Sequence, residues 1–309
     1  MWRSLLYVPV TSERFVAKAH TRGADAIILE LEDAVAPSAK ERARGLVQEA
    51  AASVSQGGAD VLVRINRPWR LAVRDIEASL GPYVRGLVLP KVDSAEHVLA
   101  LAEIAASVEA EQDLPPAVFF PRIEGPKGLL NAAQIAAAHP RVVAIGLGSS
   151  DYTIAVGMEP GSTGNAIASF QVVNAAAAAG RPAIGLVSTI TDFNDLDWFR
   201  HVAEESRAMG LRGAPCVHPS QVPILNEVFS PTAEELARAR RVVKEYEQAL
   251  AAGEGAITVD GEFVDVPYYE QAKRLLGAAC GADVRKRGSA VLPSATPGPG
   301  RSTHPGPAS

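Results

Sequence analysis

Cysteine is nearly absent: Cys216 and Cys280 are the only two in 309 residues, and no metal-type spacing separates them. A disulfide framework is therefore excluded, and a reducing compartment suits the chain. Runs of Lys and Arg are missing as well. With a formal charge of -5 and no basic stretch, the sequence carries no electrostatic footprint for nucleic acid or an anionic membrane surface. Long apolar runs are also lacking, with none reaching about 18 residues. The opening "MWRSLLYVPV" has no positive region leading into an apolar one, so neither a span nor a secretory signal is expected. These absences leave a cytoplasmic protein with no nucleic-acid or membrane partner as the expectation.

What is present is apolar material in short pieces. At 47% hydrophobic content the chain has enough for the core of a single α/β domain of about 250 residues. Runs bounded by turn residues recur at "RSLLYVP", "AIILELED", "VLVRIN", "GLVLPKV", "AVFFPRIE", "VVAIGLGSSD", "AIGLVST" and "APCVHP", eight candidate strands. Helical patterns lie between most of them, at 38–54, 94–110 and 196–210 among others. Such alternation implies right-handed βα units on a parallel sheet. Eight units close most economically as a (β/α)8 TIM barrel, while a doubly wound open sheet would use fewer strands.

The barrel is expected over residues 1–229. A C-terminal helical and hairpin lid extension follows over 230–280, opened by Ser230 and Pro231, with Asp260-Gly261 at the hairpin turn and a last helix near 268–279. Residues 281–309 are so rich in Pro, Gly and Ser that no packed structure is expected there.

In a barrel of this kind chemistry sits where strands end. The second candidate strand ends in Glu32 and Asp33, the third in Arg64 and Asn66, the fourth in Lys91, the fifth in Arg122 and Glu124, the sixth in Asp151 and the eighth in His218. Singly, a strand-end charge is ordinarily a solvated loop residue or a helix cap. Converging on one mouth, the carboxylates would repel one another unless a cation neutralised them. Glu124 and Asp151 can supply two oxygens to Mg2+, with Asp33 behind them holding its waters. Arg64 can clamp a carboxylate or keto acid through two parallel hydrogen bonds. His218 is read as structural, and Cys216, inside an apolar strand, as a small packed hydrophobe.

The stretches "DAIILELEDAVAPSAKERAR", "VRIN", "LPKV", "RIEGPKGLLNAAQIA", "GLGSSDYT" and "CVHPSQVPILNEVFSPTAEELARA" resemble, in order, the citrate lyase beta-subunit-like branch of the HpcH/HpaI aldolase family. The resemblance implies a Mg2+-dependent (β/α)8 barrel that makes or breaks a carbon–carbon bond beside a carbonyl, with acyl-CoA esters as typical substrates. It implies that Glu124 and Asp151 ligate the metal, that Arg64 binds the keto acid, and that Glu32 and Asp33 line the metal site. Asp265 in "FVDVP" would reach a neighbouring subunit's site as acid or base, so a homotrimer or hexamer is implied. The loops at Pro9 to Arg14 and at Lys91 would hold coenzyme A. The candidate catalytic residues are thus Asp265, Arg64 and Asp33. Arg64, Glu124, Glu32, Lys91 and Arg14 are the candidate substrate-binding residues. A lyase of malyl-CoA, citramalyl-CoA or citryl-CoA type is the leading reading. A malyl-CoA-type thioesterase, a citrate lyase subunit acting on a carrier-protein thioester and a non-catalytic acyl-CoA or keto-acid binder are the alternatives.

Four positions depart from the family's usual form. Glu30 replaces an aspartate, Val10 a glycine, Gly185 an aspartate and Ala214 a lysine. Glu30 shares a strand face with Glu32, one layer below the mouth, where an extra methylene can push Glu32 or take Arg64. The joint loss at 185 and 214 suggests that these two positions face each other.

Overall fold

The computed structural model describes residues 1–159, 161–188 and 194–288, and they form two compact units that divide after Ala233. In the first, strands and helices alternate from the N-terminus: β1 (Ser4–Pro9), α1 (Glu13–Ala19), β2 (Ala26–Glu30), α2 (Lys40–Val54), β3 (Asp60–Arg64), α3 (Trp69–Ser79), β4 (Gly86–Leu89), α4 (Ala95–Gln112) and β5 (Val118–Ile123). Then come α5 (Pro126–Leu130), α6 (Ala132–Ala137), β6 (Gly146–Leu147), α7 (Ser149–Val156), α8 (Gly164–Ala178), α9 (Leu196–Ala208), β7 (Ala214–Cys216) and α10 (Gln221–Val228). The seven strands form one parallel sheet in the order β6-β5-β4-β3-β2-β1-β7. Each strand follows its predecessor in space and the last returns to pair with the first. That order is incompatible with a doubly wound sheet, in which the strand order reverses at a switch point.

The regular strand expected from "AIGLVST", the seventh of the eight, is not formed among the described residues, and Thr189 at its end lies outside them. Instead Ala183 makes a single bridge to Ile145. The Gly185 N–H donates to the Gly213 carbonyl at 2.9 Å, and the Arg212 N–H to the Ala183 carbonyl at 2.9 Å. Two features of the segment limit the ladder: Pro182 has no N–H to donate, and Gly185 brings no side chain to pack. The same bonds make the chain at Gly185 a direct neighbour of the segment that begins β7 at Ala214.

Period-2 alternation sorts the strand side chains into two cores. Ala26 and Ile28 of β2, Leu62 of β3, Val88 of β4, and Val118 and Phe120 of β5 gather with Leu5 in an inner cluster. Their neighbours Ile27, Leu29, Val61, Val63, Leu87, Leu89 and Phe119 join the outer core, which includes the buried stripes of the surrounding helices. Burial on both faces explains why these strands read as continuous apolar runs. Gly86 is required by closeness: a Cβ there would collide with the Val118 carbonyl of the next strand.

The second unit comprises α11, whose range Ala233–Ala251 begins at the boundary, the antiparallel pair β8 (Ile257–Val259) and β9 (Glu262–Val264), and α12 (Val266–Gly288). Asp260 and Gly261 both adopt left-handed φ, 52° and 83°, as the tight primed turn of a two-residue hairpin requires. Tyr246 is fully buried, stacks on Tyr269 at 4.8 Å and donates to the Gly255 carbonyl at 3.0 Å. Helix α12 starts before residue 268 and continues to Gly288, through the first residues of the segment expected to lack packed structure. The Pro/Gly/Ser-rich stretch from 289 to 309 lies outside the described residues. Among the described residues no helix is long and apolar enough to cross a membrane.

Candidate active site

The inner face of each strand is apolar until its C-terminal end, where the same alternation turns polar. Tyr7 follows Leu5, Glu30 follows Ile28, Arg64 follows Leu62, and Arg122 and Glu124 follow Phe120. Parallel register then sets Glu30 directly opposite Arg64 and Pro9 opposite Glu30. The charges of different strands therefore meet at one level above the inner core.

Arg64 is the hub of the β2 and β3 ends. Its Nε lies 2.6 Å from Glu30 Oε2 and 3.2 Å from Glu32 Oε2, and its Nη2 is 3.7 Å from Asp33 Oδ2. The guanidinium carbon sits 5.0 Å from the Tyr7 ring centroid, a cation–π contact that fixes its plane. Burial opposes the Arg64 charge, but Glu30, Glu32 and Glu124 together hold its pKa above the ordinary value. Glu30 is gripped at both oxygens, because Oε1 accepts the Glu32 N–H. Burial nevertheless pushes the Glu30 carboxyl up to about 7, against the pull of Arg64. Glu32 is raised for the same reason, with Arg64 and Lys91 opposing.

Lys91 answers the outer carboxylates: its Nζ is 2.5 Å from Glu32 Oε1, 3.4 Å from Asp33 Oδ2 and 3.8 Å from Glu124 Oε2. Its backbone is left-handed at φ 49°, an uncommon conformation for a residue with a Cβ and a frequent one at functional sites.

Glu124 differs from Glu30 and Glu32 in having its nearest cation, Lys91, at 3.8 Å. It is buried, and its Oε2 has no hydrogen-bond partner among the described residues. Burial pushes its carboxyl up to about 7; the charges of Glu32 and Asp151 add to the rise while Arg122 and Lys91 oppose it. Asp151 lies in the first turn of α7, half-buried. Both carboxylates line a cavity of about 390 Å³ together with Lys91, Asp93, Lys127 and Ile154. Gly148 makes room for Glu124, since a Cβ at 148 would collide with the Glu124 Cγ. Among the described residues no three His, Cys, Asp or Glu side chains gather as a metal cluster. The Glu124 and Asp151 pair still fits a hard divalent cation: an orphaned, buried carboxylate oxygen beside a second carboxylate is the donor set that Mg2+ takes, completing its shell with water and substrate oxygens.

The remaining candidates separate. Arg122 turns inward, donating to the Leu147 carbonyl at 2.7 Å and the Ile184 carbonyl at 3.4 Å, which ties β5 to β6 and the 183–185 segment. Asn66 is buried and binds Asp75 Oδ2 at 2.6 Å. Arg14 is exposed on α1 over the Phe15 ring, and Val10 is buried in the outer core. His218 Nδ1 lies 2.7 Å from Ser220 Oγ within its own loop. Asp265 belongs to the second unit, just before α12, with its Oδ1 buried and without a hydrogen-bond partner among the described residues.

Three supporting residues were missed in the sequence. Lys40 donates to the Leu31 and Glu32 carbonyls at 2.6 and 2.5 Å, holding the end of β2. Asp75, fully buried, joins Asn66 to Arg44 at 2.7 Å. Its signal was available: an acid on the apolar stripe of α3, beside Ala72 and Ile76. Tyr7 was marked by its place two residues after Leu5 on the inner face.

Residues 3–219 match the HpcH/HpaI aldolase/citrate lyase family model. The chain belongs to that family. A citrate lyase subunit beta from Leuconostoc mesenteroides subsp. cremoris is 32% identical over 282 residues, 90% of this chain and 93% of that protein. A (3S)-malyl-CoA thioesterase from Cereibacter sphaeroides is 34% identical over 286 residues, 90% of this chain and 94% of that protein. Among solved structures, the protein CitE from Mycobacterium tuberculosis, crystallised with magnesium, acetoacetate and coenzyme A, aligns with a TM-score of 0.71 at 28% identity over 90% of this chain and 97% of that one. This family membership accounts for the LEDAV and "RIEG" elements whose acids meet at the strand ends.

Proposed function

We propose that this chain is a magnesium-dependent CoA-ester lyase that cleaves or forms the carbon–carbon bond of a 3-hydroxyacyl-CoA, giving an acyl-CoA and a keto acid. The observation that carries the reading is Glu124: a buried carboxylate with an orphaned oxygen, sharing a cavity with Asp151 at the same strand ends as Arg64 and Lys91. Membership of the family, and the citrate lyase beta relative in particular, supports it. We read Ala183–Gly185 as the seventh strand position of a (β/α)8 barrel, and residues 230–280 as its lid.

Magnesium held by Glu124 and Asp151, when bound, supplies a Lewis acid that lowers the pKa of the substrate hydroxyl and stabilises the keto acid as it forms. Arg64 grips the substrate carboxylate through its terminal nitrogens, of which Nη2 lies 3.7 Å from Asp33 Oδ2. Asp33, exposed at the mouth, orients water beside the acid pair. Lys91, in the loop after β4, and Arg14, in the first turn of α1, face the coenzyme A portion in this reading. Asp265 gives a proton to the carbon of the departing thioester enolate, or removes it in the reverse direction. In this reading it acts in a neighbouring subunit's site, so the working form is a trimer or hexamer.

The thioesterase relative favours a second outcome, in which water takes the acyl group and the products are a hydroxy acid and free thiol. One assay separates the two. The purified protein with Mg2+ is offered malyl-CoA, citramalyl-CoA and citryl-CoA while keto acid and thiol are followed independently. Keto acid without thiol is the expected result. Thiol with hydroxy acid would replace the lyase by the hydrolase, and neither product from any ester would remove both.

A further inference from the structure

Glu30 has no part in the reaction above, yet it is the most enclosed of the strand-end carboxylates, at 2% exposure. Its contact with Arg64 decides how that residue can be used. A guanidinium offers a carboxylate two edges for paired hydrogen bonds, the side edge through Nε and the terminal edge through both Nη nitrogens. Here Glu30 Oε2 stands 2.6 Å from Nε, with Glu32 Oε2 at 3.2 Å from the same atom. The side edge is therefore spent within the protein. Glu30 cannot swing away, since its other oxygen accepts the Glu32 N–H and the register fixes it opposite Arg64. An aspartate, shorter by one carbon–carbon bond of about 1.5 Å, could not meet both partners. Lys91, the cation beside Arg64, is engaged with Glu32, Asp33 and Glu124.

We propose that Glu30 is a positioning and specificity residue: by occupying Nε of Arg64 it leaves the terminal edge as the single grip for a substrate carboxylate, and so selects keto acids with one carboxylate over those with two. The inference rests on Arg64 being the keto-acid clamp. A second carboxylate on the ligand would face Glu30, Glu32 and Asp33 around Arg64, and such like-charge contacts are strongly discriminating.

Calorimetry on the magnesium-loaded protein tests this without any turnover, using pyruvate, glyoxylate and oxaloacetate as titrants. Wild type is expected to bind the two monocarboxylates about tenfold or more tightly than oxaloacetate. Glu30→Ala removes the hydrogen-bond acceptor at Nε, where Glu32 Oε2 stays only as an ion pair at 3.2 Å; Arg64 keeps Glu32 and Asp33, so the variant is expected to fold and the preference to shrink to about threefold or less, with Glu30→Asp between. A purely structural role would weaken all three ligands together and leave their ratio alone. That result in Glu30→Ala, or a wild type that binds oxaloacetate as tightly as pyruvate, overturns the inference by itself. A wild type that binds no keto acid overturns the proposed function and this inference with it.

Discussion

The acids at the end of β2 and the acid at the end of β5 are buried alike, Glu30 at 2%, Glu32 at 5% and Glu124 at 6% exposure, but their surroundings differ. Glu30 and Glu32 each have a cation within 2.6 Å, Arg64 and Lys91 respectively. Glu124 has Lys91 only at 3.8 Å; its Oε2 has no hydrogen-bond partner among the described residues, and Glu32 Oε2, which also lacks one, is 3.2 Å from Arg64 Nε. Burying a charge is costly unless it is paired, so the β2 side is electrostatically complete while the β5 side is held short of a cation. The contrast teaches that one half of the site is a fixed scaffold and the other half is built for something that arrives.

Breaking the open half should have the largest effect. Glu124→Gln is expected to lower turnover with the preferred CoA ester by about a thousandfold, since a Lewis acid contributes several kcal/mol to the barrier. Magnesium affinity, measured by titration, should fall with it. The variant should fold as well as wild type, because the lost carboxylate had only the long ion pair to Lys91 at 3.8 Å and an oxygen without a hydrogen bond among the described residues. Breaking the complete half should cost stability as well as keto-acid binding. Arg64→Met leaves Glu30 and Glu32 facing each other without their shared cation, a change expected to cost about 3–5 kcal/mol in chemical denaturation.

Proton linkage sharpens the same contrast. Glu124 has its carboxyl near 7 in the folded protein against an ordinary 4.5, so between those values the folded state binds more protons than the unfolded one. Its contribution to stability is therefore full at low pH and is lost as pH rises through that window. Metal-free wild type should lose melting temperature from pH 5 to pH 8 by more than Glu124→Gln does. Magnesium affinity should run the opposite way, weakening as pH falls below about 7, because the ion must displace the proton. A smaller effect comes from Gly148→Ala, whose Cβ meets the Glu124 Cγ. Overpacking of this kind costs about 1–3 kcal/mol, and activity should fall while the Arg64 cluster is untouched.

Much of this was legible in the sequence. The alternation of strands and helices gave the parallel sheet, and the strand-end acids and bases gave the cluster, because both depend on local pattern. The segment at 183–189 misled because its apolar run says nothing about pairing partners, and Pro182 with Gly185 weighed against a full ladder. Arg122 read as a site residue at a strand end, but a guanidinium at that level can also turn down to backbone carbonyls, which position alone does not reveal. Lys40 and Asp75 act from the helices that follow, back on strand ends eight or nine residues earlier. No strand-based scan would visit them.

The alternation that lifts Glu30, Arg64 and Glu124 onto the inner face also makes the site an even-number code. Inserting one residue into β2 would send Glu30 among the helices and bring Leu31 into the cavity, inverting solubility on both sides at once. The strands leading to this site can therefore drift in composition but not in length. Innovation in its chemistry has to come through the loops, where counting carries no such penalty.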